Sequence, residues 1–110
     1  MKKYILTTCF IYSIVLVFAQ KQTNIWYFGN RVGLDFNQVP PQPLNNATAN
    51  SLEGSSTVSD KNGRLLFYTN GTVINNRQHL RMKNAGGLAG STSSTNNTVA
   101  VPLPETDDSI

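Results

Sequence analysis

The sequence predicts an all-β fold of short antiparallel strands joined by tight turns. Three observations carry that prediction. Good helix formers never run together, so no stretch sustains a helical pattern. Asparagine is frequent and often doubled, as at Asn45-Asn46, Asn75-Asn76 and Asn96-Asn97, and asparagine favours turns. Asn62-Gly63 and Asn70-Gly71 bracket the apolar stretch from Arg64 to Thr69, the pattern of a strand held between two chain reversals.

At the amino end, Met1-Lys2-Lys3 precedes an apolar run from Tyr4 to Phe18, which closes at Ala19 and gives way to Gln20-Lys21-Gln22. A positive start, a short apolar middle and a small residue at the exit make a secretory signal peptide. Val17-Phe18-Ala19 predicts cleavage between Ala19 and Gln20, which divides the chain into a signal peptide at 1–19 and a mature part at 20–110. The run is shorter than the roughly twenty apolar residues of a membrane span. Cys9, the single cysteine, interrupts the run instead of closing it, so it reads as signal core and not as a lipid-carrying residue. The mature chain then has no cysteine, and its core and strand ladders must hold it without disulfides. The predicted location is the periplasm, reached through the inner-membrane export machinery as the signal peptide's partner.

Removing Lys2 and Lys3 lowers the net charge from +3 to +1, so the basic balance belongs to the signal peptide. No basic stripe interleaved with aromatics remains, which argues against nucleic acid and against an anionic membrane as partner.

The elements follow in order. Asn24 to Gly29 is an aromatic strand with a breaker at its end. Arg31 to Ser51 carries Pro40, Pro41 and Pro43 and has no apolar period, which predicts a long surface connection. Gly54 to Ser59 is a strand of small and β-branched residues. Asp60-Lys61-Asn62-Gly63 is a turn in which Asp60 caps amides and glycine accepts a positive φ. In the strand ending at Thr69, simple alternation puts Leu65, Phe67 and Thr69 on one face and Leu66 and Tyr68 on the other. A strand apolar on both faces belongs inside a stack of sheets. Thr72 to Asn75 is a third short strand, leading to a less regular Arg77 to Met82 and a loop from Asn84 to Asn97. Thr98 to Pro104 reads as a further apolar strand, and Glu105 to Asp108 as a turn toward another. Ending at Ser109-Ile110, where a partner strand should begin, the chain reads as an incomplete fragment.

No motif here carries chemistry: the catalytic, cofactor-binding and metal-ligating sets are all predicted to be none. Asp60 to Gly63 lacks the closing carboxylate of a calcium loop, since Arg64 and an apolar strand follow. Gly86-Gly87-Leu88-Ala89-Gly90-Ser91-Thr92 lacks the lysine and the following helix of a phosphate loop. His79 is the only histidine, and the adjacent carboxylates of Asp107 and Asp108 would point apart. The sequons at Asn46, Asn70 and Asn96 follow from an Asn- and Thr-rich composition.

The order "NIWYFGNRVGLDFN", then "TVSDKNGRLLFYTNGTVINNRQHLRMKN", then "GLAGSTSSTNNTVAVPLP" resembles the amino-terminal region of large surface proteins of gliding bacteria. These are exported by type IX secretion and end in a type B, gliding-associated carboxy-terminal sorting domain. The resemblance runs from about Asn24 to Pro104 and is most specific at Trp26-Tyr27-Phe28-Gly29, Leu66-Phe67-Tyr68-Thr69, Asn76-Arg77 and His79. It implies antiparallel blades of a β-propeller, about one to two of them at 20–110, as an incomplete fragment. It also implies a cell-surface or extracellular place for a full-length parent. The chain departs from the family pattern at Ile74 and at Met82-Lys83-Asn84, and no sorting domain is expected within these 110 residues. The function expected is a non-enzymatic binding or structural module for adhesion or gliding, its partner a glycan or a surface protein. The alternative is a piece of an exported propeller enzyme, a glycosidase or lyase, with its catalytic residues on other blades.

Overall fold

Aromatic Ile25-Trp26-Tyr27-Phe28 forms β1 (Ile25–Phe28), which Gly29, at φ 56°, reverses into β2 (Val32–Asp35). β2 pairs in turn with β3 (Gln42–Leu44), giving an antiparallel sheet in the order β1-β2-β3. A computed structural model describes residues 20–95 and 98–101. Its second sheet runs β4 (Ser56–Ser59), β5 (Leu65–Thr69), β6 (Val73–Asn76), β7 (Arg81–Gly86), each strand antiparallel to its sequence neighbour. The described chain is therefore all-β and antiparallel, with no helix long and apolar enough to cross a membrane. The predicted signal peptide at 1–19, with Cys9 and Ala19, and Asp107, Asp108 and Ser109, lie outside the described residues; Gln20 is exposed.

The long connection predicted from Arg31 to Ser51 instead contains β2 and β3. Their alternation is hidden for a physical reason. Gly33 lies opposite Tyr27, and a Cβ there would collide first with the backbone carbonyl of Trp26 and then fall 2.8 Å from Cδ1 of the Tyr27 ring. The inward position of β2 thus carries no apolar side chain to betray it. β3 holds Pro43, which a strand tolerates at the edge of a sheet. The irregular segment predicted around Arg81 and the start of the predicted loop at Asn84 form β7, an edge strand exposed except at Ala85. Such a strand has no buried face to impose a period.

A β-bulge corrects the face assignment in β5. Val58 pairs with Phe67, but Ser59 pairs with Leu65, so one step on β4 spans two on β5. Paired residues share a face, and the extra residue brings Leu65 to the side of Tyr68. Leu65 and Tyr68 then join Tyr27 and Ala47 in one core cluster, against which Ile25, Leu44 and Ala49 pack. The inner face of each sheet meets there. Phe67 stays half-buried and Thr69 buried on the other side.

The chain after β7 is tied to the segment that leads into β4. Leu52 N donates to Thr92 O, Gly54 N to Ser94 O, and Ser56 Oγ to Thr98 O at 2.9 Å. Thr98 to Val101, predicted as part of a strand, have no regular structure, and the rest of that prediction falls outside the described residues.

Candidate functional site

Tyr27 from β1 and Tyr68 from β5 meet between the sheets with ring centroids 4.7 Å apart. His79, from the turn between β6 and β7, stands 5.8 Å from each ring, edge-on to Tyr27. The connection between β3 and β4 brings Asn46 and Thr48 to the same place. Tyr27 Oη donates to Asn46 Oδ1 at 2.7 Å, which leaves Asn46 Nδ2 to face His79 Nε2 at 3.0 Å. An amide NH2 only donates, so Nε2 must accept and the proton of the neutral ring sits on Nδ1. From Nδ1 it reaches Tyr68 Oη at 3.2 Å. Tyr68 Oη also accepts from Thr48 N at 3.0 Å and donates to Thr48 Oγ1 at 3.1 Å, and Thr48 Oγ1 donates to His79 O at 3.0 Å. The five residues form one connected hydrogen-bonded circuit.

Burial first, and then the Tyr68 phenol, push the Tyr27 hydroxyl above its ordinary value; the bond to Asn46 pulls it partly back and Asp35 adds to the rise. Tyr27 therefore stays a neutral donor. The circuit ties the β3–β4 connection and the β6–β7 turn to the two sheets, with Asn46 and Thr48 at its exposed side. Beside it, between Tyr27, Tyr68, Ser51, Ser55 and Asn70, lies a cavity of about 10 Å³, which suits one water and no organic ligand.

The turn that resembles a calcium loop is built on its own carboxylate. Asp60 Oδ1 accepts from Asn62 N at 2.8 Å and Arg64 N at 2.9 Å, and Oδ2 accepts from Arg64 Nε at 2.7 Å. Burial by itself would raise the Asp60 carboxyl, but the backbone NH of Arg64, then its guanidinium, then the NH of Asn62 outweigh burial and hold it below the ordinary carboxylate range. Of the Asn-Gly pair only Gly63 has a positive φ, so this is a three-residue loop with a left-handed last residue, not the two-residue hairpin that the pair favours.

The other stretches singled out by the sequence are also architectural. In the glycine-rich segment, Leu88 N donates to Thr72 O, and a Cβ on Gly90 would collide with the carbonyl of Gly71. Close backbone approach explains that glycine. Of the sequon asparagines, Asn46 lies in the circuit, and Asn70 accepts from Thr72 N and Val73 N while donating to Asn50 O; Asn96 lies outside the described residues. Among the described residues no three His, Cys, Asp or Glu side chains come together.

Sequence reasoning missed the circuit because its members are scattered over 53 positions of chain, from Tyr27 to His79, and none has a motif. Asn46 and Thr48 were legible only as a sequon, although their partners come from other strands. No local signal marks it, since His79 stands at the left-handed position of a turn where glycine or asparagine is usual. Comparison with family models, with curated proteins and with solved structures finds no match.

Proposed function

We propose that the chain is an exported, non-enzymatic binding or structural module, built as the leading antiparallel blades of a β-propeller from a bacterial surface protein. The observation that carries this reading is the sheet β4-β5-β6-β7, four consecutive strands in sequence order, whose Leu65 and Tyr68 share a core cluster with Tyr27 of a preceding antiparallel sheet. A blade has that topology and is covered by sheets on its faces. The gliding-associated, type IX-secreted proteins that the sequence resembles supply the context of adhesion or gliding and a glycan or surface-protein partner. That Tyr27, Tyr68, His79, Asp60 and Asn70 all bond to the scaffold supports a structural over a catalytic use of them.

The test is expression in a gliding bacterium, followed by terminal sequencing and assay of the exported product. A product beginning at Gln20 that binds cell envelopes or immobilised polysaccharide saturably, without releasing saccharide, is expected. A product retained in the cytoplasm with its leader intact, or one that degrades polysaccharide, sinks the reading.

A further inference from the structure

Two Asn-Gly pairs flank β5, Asn62-Gly63 before it and Asn70-Gly71 after it. The backbone nitrogen that follows an asparagine can attack the carbon of that asparagine's side-chain amide. Glycine hinders the attack least, because it has no β-carbon. As sequence the two pairs are chemically equal, and the fold separates them.

At Asn70 every reacting group is held. The residue is 6% exposed. Its Oδ1 accepts from Thr72 N at 3.1 Å, Thr72 Oγ1 at 2.9 Å and Val73 N at 3.2 Å, and its Nδ2 donates to Asn50 O at 2.7 Å. The nitrogen that would attack, that of Gly71, is also buried and donates to Thr69 Oγ1 at 3.0 Å. Swinging the amide carbon toward Gly71 forfeits these bonds and leaves buried polar groups unpaired, which is costly.

Asn62 is exposed, and its side-chain amide has no hydrogen-bond partner among the described residues. Gly63 N donates to Asp60 O at 2.9 Å, but Lys61, Asn62 and Arg64 around it are all exposed. Exposed turns open locally at low free energy, whereas a buried network does not.

We propose that Asn62-Gly63 is a site of spontaneous deamidation, and that the fold keeps the same dipeptide at Asn70-Gly71 inert. Gly63 N gives its proton to water and bonds to Asn62 Cγ; the Cγ–Nδ2 bond breaks and ammonia leaves, closing a succinimide. Water then adds to one of the two ring carbonyls and that carbon's bond to nitrogen opens. Opening on one side leaves an aspartyl residue, and opening on the other leaves an isoaspartyl residue whose backbone runs through Cβ and Cγ. An amide and water become a carboxylate and ammonium, and nothing is oxidised or reduced. The isoaspartyl product adds a carbon to a loop whose span is fixed by Asp60 N donating to Arg64 O at 2.8 Å and by Asn37 Nδ2 donating to Gly63 O at 2.8 Å. Those bonds are lost and the turn loosens. The inference stands independently of the proposed function.

The experiment ages the full chain in mildly alkaline buffer, natively and in urea, and follows tryptic peptides by mass spectrometry with chromatographic separation of isoaspartyl forms. Arg64 lies between the two pairs, so trypsin places them on different peptides. In the native chain the Asn62 peptide gains the mass of an amide-to-carboxyl exchange, and the Asn70 peptide does so more than about tenfold more slowly. Urea brings the two rates together. Similar native rates overturn the proposal, as does an Asn62 that converts only in urea, because the bond from Gly63 N to Asp60 O then protects it. The aged parent also unfolds at lower urea than the fresh parent, whereas aged Asn62→Gln, which would have to close a larger ring, does not. Asn62→Ser replaces it should Asn62→Gln show no cooperative transition when fresh. An equal loss in the aged parent and the aged variant overturns the loosening of the turn.

Discussion

The turn at Asp60 to Arg64 and the turn at Asn76 to Leu80 make the same bonds with different residues. In each, the first residue's N donates to the fifth residue's O, and the fourth residue's N donates to the first residue's O. In each, the first side chain accepts from the third and fifth backbone amides: Asp60 from Asn62 and Arg64, Asn76 from Gln78 and Leu80. The fourth residue is left-handed in both, Gly63 at φ 82° and His79 at φ 62°. Glycine adopts that conformation at no steric cost, whereas a β-carbon there costs roughly 1–2 kcal/mol. The two fourth positions differ in what surrounds them. Gly63 is pressed against Asn37, whose Nδ2 donates to Gly63 O at 2.8 Å, leaving no room for a side chain. His79 has a ring with two sheet residues and a loop to hold. One turn was selected for closeness, the other for a side chain worth its strain.

Breaking the first turn should have the largest effect. Gly63→Ala puts a Cβ against Asn37 Oδ1 at a positive φ, and we expect a loss of about 2–3 kcal/mol in urea unfolding followed by Trp26 emission. A loss under half of that would mean Asn37 yields freely and the contact between β2 and the β4–β5 turn is soft.

The capping residues sharpen the comparison by charge. Because the Asp60 carboxyl is held down in the fold, its contribution is complete above the unfolded carboxyl value near 4 and disappears as pH falls through the lower folded value. Asp60→Asn makes the first turn chemically like the second. It should lower stability at neutral pH by about 1 kcal/mol, since it loses the charged bond to Arg64, a side chain 69% exposed and therefore water-screened. The variant's stability should then vary less with pH than that of the parent below about pH 4. Equal slopes in acid titration of the two proteins would contradict this assignment.

A difference between two substitutions separates strain from ring chemistry at His79. His79→Ala keeps the left-handed Cβ and loses the ring bonds, costing about 1–2 kcal/mol. His79→Gly loses the same bonds but releases the strain, so it should be the milder of the two by about 1 kcal/mol. If glycine proves the worse substitution, the backbone at His79 is relaxed and the ring circuit does not hold it under strain.

Much of this was legible in the chain. Asp60, Asn62-Gly63 and Asn70-Gly71 announce turns because their signals are local: a short side chain caps amides two to four residues on, and glycine takes a φ that others avoid. The aromatic β1 and the apolar β5 were equally plain. β2, β3 and β7 were not, since a strand whose inward side is glycine, proline or solvent shows no alternation. The second turn was also missed, although its bonding repeats the first, because His79 hides the left-handed position that glycine would mark.

The sequence by itself determined that short antiparallel strands alternate with capped turns, because those choices depend on neighbours within about five residues. Only the tertiary structure decided which face of β5 carries Leu65, why Gly33 cannot bear a side chain, and what Tyr27, Asn46, Thr48, Tyr68 and His79 do together. Those outcomes depend on residues beyond the reach of a turn, such as Ser59 and Leu65 or Asn46 and His79, arriving at one place, where a bulge in register or a neighbouring ring sets the geometry. Distance along the chain carries no record of such meetings.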